Sequence, residues 1–225
     1  MIAKYLRLAL SLPKSVYMNF RWLPLKKAIK MPILISFDAS LSGGGKILLP
    51  EQVKFGMVHI GFHRVPICNP RDKTVVIVDG TLQINGTFHV GNGTRIRVTN
   101  ESILTTGANF GISASTAINC YNKISIGKDV LFSWDCLVMD SDTHPIFGSN
   151  SEIINKGIEV VIGDHVWVGC RSTILKGSRI PDGCVVGACS LVSGTKYEPS
   201  TIIAGHPAKS IKHIENWEEQ WKGFA

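Results

Sequence analysis

What the chain lacks narrows its class before any motif is read. Its six cysteines, Cys68, Cys120, Cys136, Cys170, Cys184 and Cys189, form no CxxC pair and no zinc-ligand spacing. Packed free thiols of a reducing, cytoplasmic compartment are the expectation, with disulfides the lesser alternative. No stretch reaches the ~20 apolar residues of a membrane span. The apolar run Leu8 to Leu12 is too short for a signal peptide, and no small-residue cleavage site follows it, so no targeting segment is expected. Charged residues make up only 18% of the chain against 44% hydrophobic, which excludes disorder. Acidic residues are the scarcer sign, leaving a formal charge of +7. That excess suggests an anionic partner without choosing among phosphate, nucleic acid and a membrane surface. Aromatics do not interleave with the basic residues as stacking platforms, and no nucleic-acid motif appears, so nucleic acid is not an expected partner.

What is present is a period of six. From Ile162 the residues Val168, Ile174, Ile180, Val186 and Val192 recur at fixed intervals. All but Ile174, which precedes Leu175, are followed by a small or turn-forming residue, and Val166, Ser172, Ser178, Cys184 and Ser190 fill the fifth place of successive hexads. A helix would repeat its apolar face at three and four, not at six. The pattern predicts a β-solenoid, with three hexads to a triangular coil and strands stacked ~4.8 Å apart. The same frame extends back through Ile126, Phe132 and Val138 to Val78, Ile84, Val90 and Ile96. Val78 and Ile162 lie 84 residues apart, fourteen sixes, so phase is expected to hold across the centre of the chain.

The flanks read differently. Residues 1–35 form a helical, basic segment expected to break at Pro13 and Pro24, with Lys4, Arg7, Lys14, Arg21, Lys26, Lys27 and Lys30 among Leu, Tyr, Phe and Trp. The favoured reading is a cap over the open end of the solenoid. Peripheral attachment to an anionic membrane face is the minority reading. Residues 36–205 form the β-helix, whose early part, Ile33 to Thr74, holds first coils or flanking strands. His59 and His63, four apart in this β-rich stretch, are read as structural or solvent-facing, and no metal site is expected. Residues 206–225 read as a loop and a helix, with Ile211, Ile214, Trp217 and Trp221 at helical spacing.

The hexad frame fails once, in MDSDTHPIFGSNSEIINKGIEV after Val138. Strict phase would place His144 in the apolar column between Ile126 and Ile162, a poor place for an imidazole. The Pro, Gly and polar residues there are loop formers. The chain is expected to leave the coil near Asp140 to Asp142 and return near Ile158, a loop over 140–157 that carries His144 beside two carboxylates.

The repeats, the THP loop and the ending IIAGHPAKSIKHI resemble the hexapeptide-repeat acyltransferases, whose fold is a left-handed parallel β-helix. The likeness runs from roughly Ile77 to Ile214 and is nearest to the O-acetyltransferases of galactosides, maltose, xenobiotics and bacterial surface polysaccharides. IGKDVLFSWDCLVMDSDTHP resembles the galactoside enzymes with one residue added before the His. The resemblance implies an enzyme using acetyl-CoA, assembled as a homotrimer with active sites between subunits. It further implies a sugar hydroxyl as acceptor, in capsule, exopolysaccharide or lipopolysaccharide synthesis. His144 would be the general base, with Asp142, or failing that Asp140, fixing its tautomer. Backbone amides at a coil corner would hold the oxyanion. Asn119, ahead of Asn122, would contact the acceptor, with Asp140 close to it. Trp167, Gly169, Ser172, Gly187, Ala188 and Ser190 would lie along the pantetheine arm, small residues admitting it to the backbone. Lys209 and Lys212, with Lys196 near by, would meet the CoA phosphates.

Three other readings compete. A γ-type carbonic anhydrase shares the coil but needs three His ligands at a subunit boundary. Here His144 is followed only by His165 within a coil, without the close pair. A non-catalytic β-helix binding module explains the repeats but neither the loop His nor the basic ending. Among enzymes, the runner-up acceptor is a small non-sugar molecule such as a xenobiotic or serine.

Overall fold

The computed structural model describes residues 2–63, 65–194 and 197–219. Helix α1 spans Ile2–Trp22, and after Pro24 comes the single turn of α2, Leu25–Ala28. Only Pro24 ends a helix, because Pro13 lies inside α1. Residues 9 and 13 are both on the exposed side, so the carbonyl that Pro13 leaves without a donor reaches water.

The rest is coiled. The first coil holds β1 (Ile33–Ile35), β2 (Ser40–Ser42) and β3 (Lys46–Leu48). The second holds β4 (Val58–Ile60), β5 (Val75–Val78) and β6 (Thr81–Ile84). The third runs β7 (Phe88–Val90), β8 (Arg95–Val98), β9 (Ile103–Thr106). The fourth runs β10 (Phe110–Ala114), β11 (Ala117–Cys120), β12 (Lys123–Ile126). In the fifth, β13 (Leu131–Trp134) and β14 (Leu137–Met139) are separated by a long loop from β15 (Val160–Ile162). The sixth is β16 (Trp167–Val168), β17 (Thr173–Ile174) and β18 (Arg179–Ile180). β19 (Val185–Val186) and β20 (Leu191–Val192) follow. Last come β21 (Thr201–Gly205) and β22 (Ala208–His213).

Strands from successive coils stack in parallel into three sheets, and only β22 runs antiparallel, against β21. The first sheet contains β1, β4, β7, β10, β13, β16, β19, β21 and β22. The second contains β2, β5, β8, β11, β14, β17 and β20, and the third β3, β6, β9, β12, β15 and β18. Alternation sends one side of every strand inward, and Val78, Ile96, Ile118, Ile124, Ile162, Ile174 and Val186 are all buried. Phe88, Phe110 and Phe132 add an aromatic column inside, with successive ring centroids 5.1 and 6.0 Å apart.

Strict phase holds only in part. From β15 onward, Val161 pairs with Arg179, Trp167 with Val185 and Thr173 with Leu191, each 18 residues on. Earlier, Val78 pairs with Val98 and Val98 with Cys120, steps of 20 and 22. The constant six-residue frame expected back to Val78 is therefore corrected. Period-two alternation within strands keeps the core columns filled, while corner residues such as Glu101, Asn109 and Ser115, with φ of 63°, 54° and 51°, take up the extra length.

The expected C-terminal helix is also corrected. Ile211 lies in β22, and no helix follows among the described residues; Trp221 lies outside them. The open edge of β21 presents unpaired backbone groups, and pairing with residues 208–213 satisfies them. Trp217 instead folds over the first sheet, its ring 4.5 Å from that of His165 and 6.2 Å from that of Trp167.

Candidate active site

The interruption between β14 and β15 forms a closed loop. Its base is a hydrogen bond from Ile158 N–H to the Asp140 carbonyl, 2.9 Å. The Ile126 column passes straight to Ile162 beneath it, so residues 140–159 are extruded without disturbing the core. The outer half is a small hairpin, with Phe147 bridging Ile153 and Gly148 N–H bonded to the Glu152 carbonyl.

Asp140 is fully buried, and it does not face solvent, acceptor or His144. Its two carboxylate oxygens accept the N–H groups of Tyr121 and Asn122, both at 2.8 Å. It replaces the hydrophobic residue that would continue the Val78, Val98, Cys120 column, and holds the corner of the coil below. Its carboxylate is thus engaged away from both the acceptor contact and the reserve partnership with His144 expected of it. Asn122 belongs to the same corner.

Asp142 is exposed at the base of the loop. Its carboxylate pairs with Lys176 Nζ and accepts from Asn155 Nδ2 at 2.9 Å, and these hydrogen bonds, Lys176 first, hold its carboxyl below the usual range. Asn155 also donates to the His144 carbonyl and accepts from Ile146 N–H, and Lys176 donates to the Asn155 carbonyl. Asp142 therefore anchors the backbone around His144 and does not support its ring. Lys176 and Asn155 were not legible in the sequence, because neither breaks a pattern: one sits in a hexad turn, the other in a polar loop.

His144 itself is exposed, its N–H bonded to the Asp142 carbonyl at 2.8 Å. Its imidazole has no hydrogen-bond partner among the described residues. Thr143, just before it, has φ of 64°, a left-handed conformation that a β-branched residue adopts only under constraint, at about 1–3 kcal/mol. The Lys176 and Asn155 network supplies that constraint. Asn119 faces outward from β11, half-buried, beside Met139 at the root of the loop, so Asn119 and the His144 loop share the border of the second sheet.

The remaining predicted residues divide. Trp167 faces outward from the first sheet, its Nε1–H donating to Ser133 Oγ at 3.1 Å. Gly169, Gly187 and Ala188 stack at the corner between the first and second sheets, where Gly169 N–H bonds the Val186 carbonyl. A side chain at Gly169 would lie 2.7 Å from that same carbonyl oxygen and from Ala188 N, so glycine is required for coil stacking. Ala188 is exposed above it. Ser172 and Ser190 are buried, both donating to the Gly187 carbonyl at 2.9 and 2.7 Å. They brace this corner from inside. Lys209 and Lys212 are exposed on β22, opposite Ala204 and Ile202. Paired residues share a face, which puts both lysines on the outer side of the first sheet with Trp167. Lys196 lies outside the described residues. A bare, shallow corner flanked by an indole and two free ammonium groups suits a thioester donor with a phosphorylated nucleotide end.

A separate groove of about 1120 Å³ lies lower on the first sheet, lined by His59, His63, His89, Phe55, Phe62 and Trp217 among others. The rings of His59 and His89 stack at 4.6 Å, and burial lowers the pKa of His89. Among the described residues no group of three or more His, Cys, Asp or Glu is placed to hold a metal ion. Cys120 and Cys136 are buried thiols whose pKa values burial pushes up to about 12 and about 11, so both stay protonated and unreactive.

Comparison with known proteins agrees with this architecture. The pattern described as "Bacterial transferase hexapeptide (six repeats)" matches residues 159–194. An Escherichia coli K12 protein named for O-acetyl transfer in lipopolysaccharide biosynthesis, WbbJ, is 30% identical over 153 residues, 64% of this chain and 78% of that one. A polysialic acid O-acetyltransferase of Neisseria meningitidis is 50% identical over 56 residues, covering 24% of this chain and 26% of that protein. The crystal structure of a maltose O-acetyltransferase from Clostridium difficile 630 superposes with a TM-score of 0.50 at 28% identity, over 60% of this chain and 68% of that one. Six complete stacked coils, the extruded histidine loop and the length of the WbbJ match lead to one conclusion: this left-handed β-helix belongs to the hexapeptide-repeat acetyltransferase family.

Proposed function

We propose that the chain moves an acetyl group from acetyl-CoA to a hydroxyl of a sugar in a bacterial surface polysaccharide, with His144 as general base. The observation that carries the base is the loop: an exposed imidazole, without a hydrogen-bond partner among the described residues, on a strained backbone that Asp142, Asn155 and Lys176 hold in place. A sugar hydroxyl is a weak nucleophile at neutral pH, so its proton must be taken as it attacks. His144 accepts that proton and returns it to the departing thiolate. Asn119 orients the acceptor. Trp167, Gly169, Gly187 and Ala188 flank the donor, and Lys209 and Lys212 meet its phosphates. The relatives named for lipopolysaccharide and polysialic acid support a saccharide acceptor.

The proposed site crosses subunits of a homotrimer. Within one chain the donor corner lies between the first and second sheets and the His144 loop springs from the border of the second and third, so the second sheet intervenes. The loop also exposes Ile146, Phe147, Ile153, Ile154 and Ile158, an apolar cluster that a neighbouring chain would cover.

The test is release of free CoA from acetyl-CoA across a panel of hexoses, sialic acid oligomers and other oligosaccharides, with serine and chloramphenicol as non-sugar acceptors. Saccharide-dependent release is expected. Release only with the small non-sugar acceptors overturns the substrate class.

A further inference from the structure

Helix α1 is amphipathic in the reverse sense. Its buried side is polar: Ser11, Ser15 and Asn19, four apart, are completely buried against the edge of β1. Ser15 Oγ donates to the Ile35 carbonyl and accepts from Ile35 N–H at 3.0 Å. Asn19 does the same to Ile33, donating at 2.7 Å and accepting at 3.1 Å, and Ser11 accepts from Phe37 N–H at 3.0 Å. These side chains stand in for the strand that a further coil would have supplied. Arg21 and Lys27 donate to the carbonyls of Gly43 and Leu49.

The opposite side is apolar and uncovered. At 100° per residue Leu6, Leu10, Pro13, Tyr17 and Phe20 fall on one stripe. The four large ones are between 52% and 60% exposed, and Leu25 and Ile29 continue the surface at 66% and 62%. Capping alone does not require this stripe, since the capping bonds come from Ser11, Ser15, Asn19 and the flanking basic residues and from none of the stripe's own side chains.

Charge says what would cover it. Seven of the chain's 24 Lys and Arg lie in residues 1–37, which contain no Asp or Glu, so the remainder holds 17 of each sign; of the seven, Arg7 is paired with Asp38 at 2.6 Å. The carbonyl bonds leave the charges of Lys14, Arg21 and Lys27 intact. Lys26 and Lys30 are exposed, with no ion-pair partner among the described residues.

We infer that this end of the solenoid docks on an anionic phospholipid bilayer, α1 lying in the surface with its apolar stripe in the acyl boundary and its basic residues at the headgroups. No helix is long and apolar enough to span the bilayer, so attachment is peripheral.

Flotation of the full chain with phosphatidylcholine vesicles, with and without one third phosphatidylglycerol, tests this. Binding to the anionic vesicles is expected, weakened at least tenfold by Leu10→Asp with Phe20→Asp and about fivefold by each of Lys26→Glu and Lys30→Glu. Unchanged melting would show that the variants fold, because the altered side chains face solvent. Failure of wild type to float, or equal flotation of the variants, overturns the proposal. So does a fall in oligomer mass in the aspartate variants without any vesicle binding, which assigns the stripe to a second copy. Transfer of acetyl to a soluble acceptor is read separately and does not depend on the outcome.

Discussion

The coils after Val160 and those before Met139 solve the same packing problem with different tolerance. The later ones repeat every 18 residues as far as β20, with 17 at the last step onto β21, and the earlier ones take anything from 20 to 35. Inward columns are continuous in both, so the extra residues collect at corners, outside the core. Length variation in a β-solenoid is thus absorbed where strands end, and the largest such variation, the 140–159 loop, is where the candidate base stands. The regular half supplies stiffness, and the irregular half supplies surfaces that can differ: the histidine groove, the buried Asp140 corner and the loop.

That contrast can be broken by experiment. The largest effect should come from His144→Ala. Turnover should fall by about 10²–10⁴ with the melting curve unmoved, and a variant retaining near wild-type turnover would remove the base from this loop. Ile162→Ala, in the regular column, should do the reverse. We expect a loss of about 2–5 kcal/mol in denaturant unfolding with acetyl transfer per folded molecule preserved.

Lys176→Met, between these extremes, should lower kcat some tenfold while leaving the donor KM alone, because it frees the His144 backbone without touching donor residues. Equal changes in kcat and donor KM would instead mean a collapsed coil. The anchor also has a pH signature. A carboxyl held below its usual range stabilises the loop above the ordinary carboxylate pKa, and that contribution is lost as pH falls through the lower folded value. Proteolytic nicking at 146–154 should therefore stay slow from pH 8 to 5 and accelerate only in stronger acid; nicking that accelerates between pH 7 and 6 would assign the anchor to another group. The smallest effect expected is at the C-terminal hairpin. Lys209→Glu with Lys212→Glu should raise the KM for acetyl-CoA severalfold, more at low salt, and an effect on the acceptor KM alone would move the donor elsewhere.

The hexads from Ile162 to Val192 and the expulsion of His144 from the core were legible in the sequence, because an apolar residue every sixth place has one stable use and an imidazole stacked on isoleucines has none. Partners of polar groups were not legible. Asp140 and Asp142 look alike in MDSDTHP, yet one completes a buried corner through Tyr121 and Asn122 and the other anchors a loop through Lys176 and Asn155. Ser172 and Ser190 likewise read as open corner residues until their hydroxyls were seen braced on Gly187 from within. The C-terminal segment had the spacing of a helix and became a strand because an unpaired edge lay beside it. Periodicity is local and survives in one dimension. Hydrogen-bond partners as far as 34 residues away are chosen by the stacking of coils, and that only the folded chain decided.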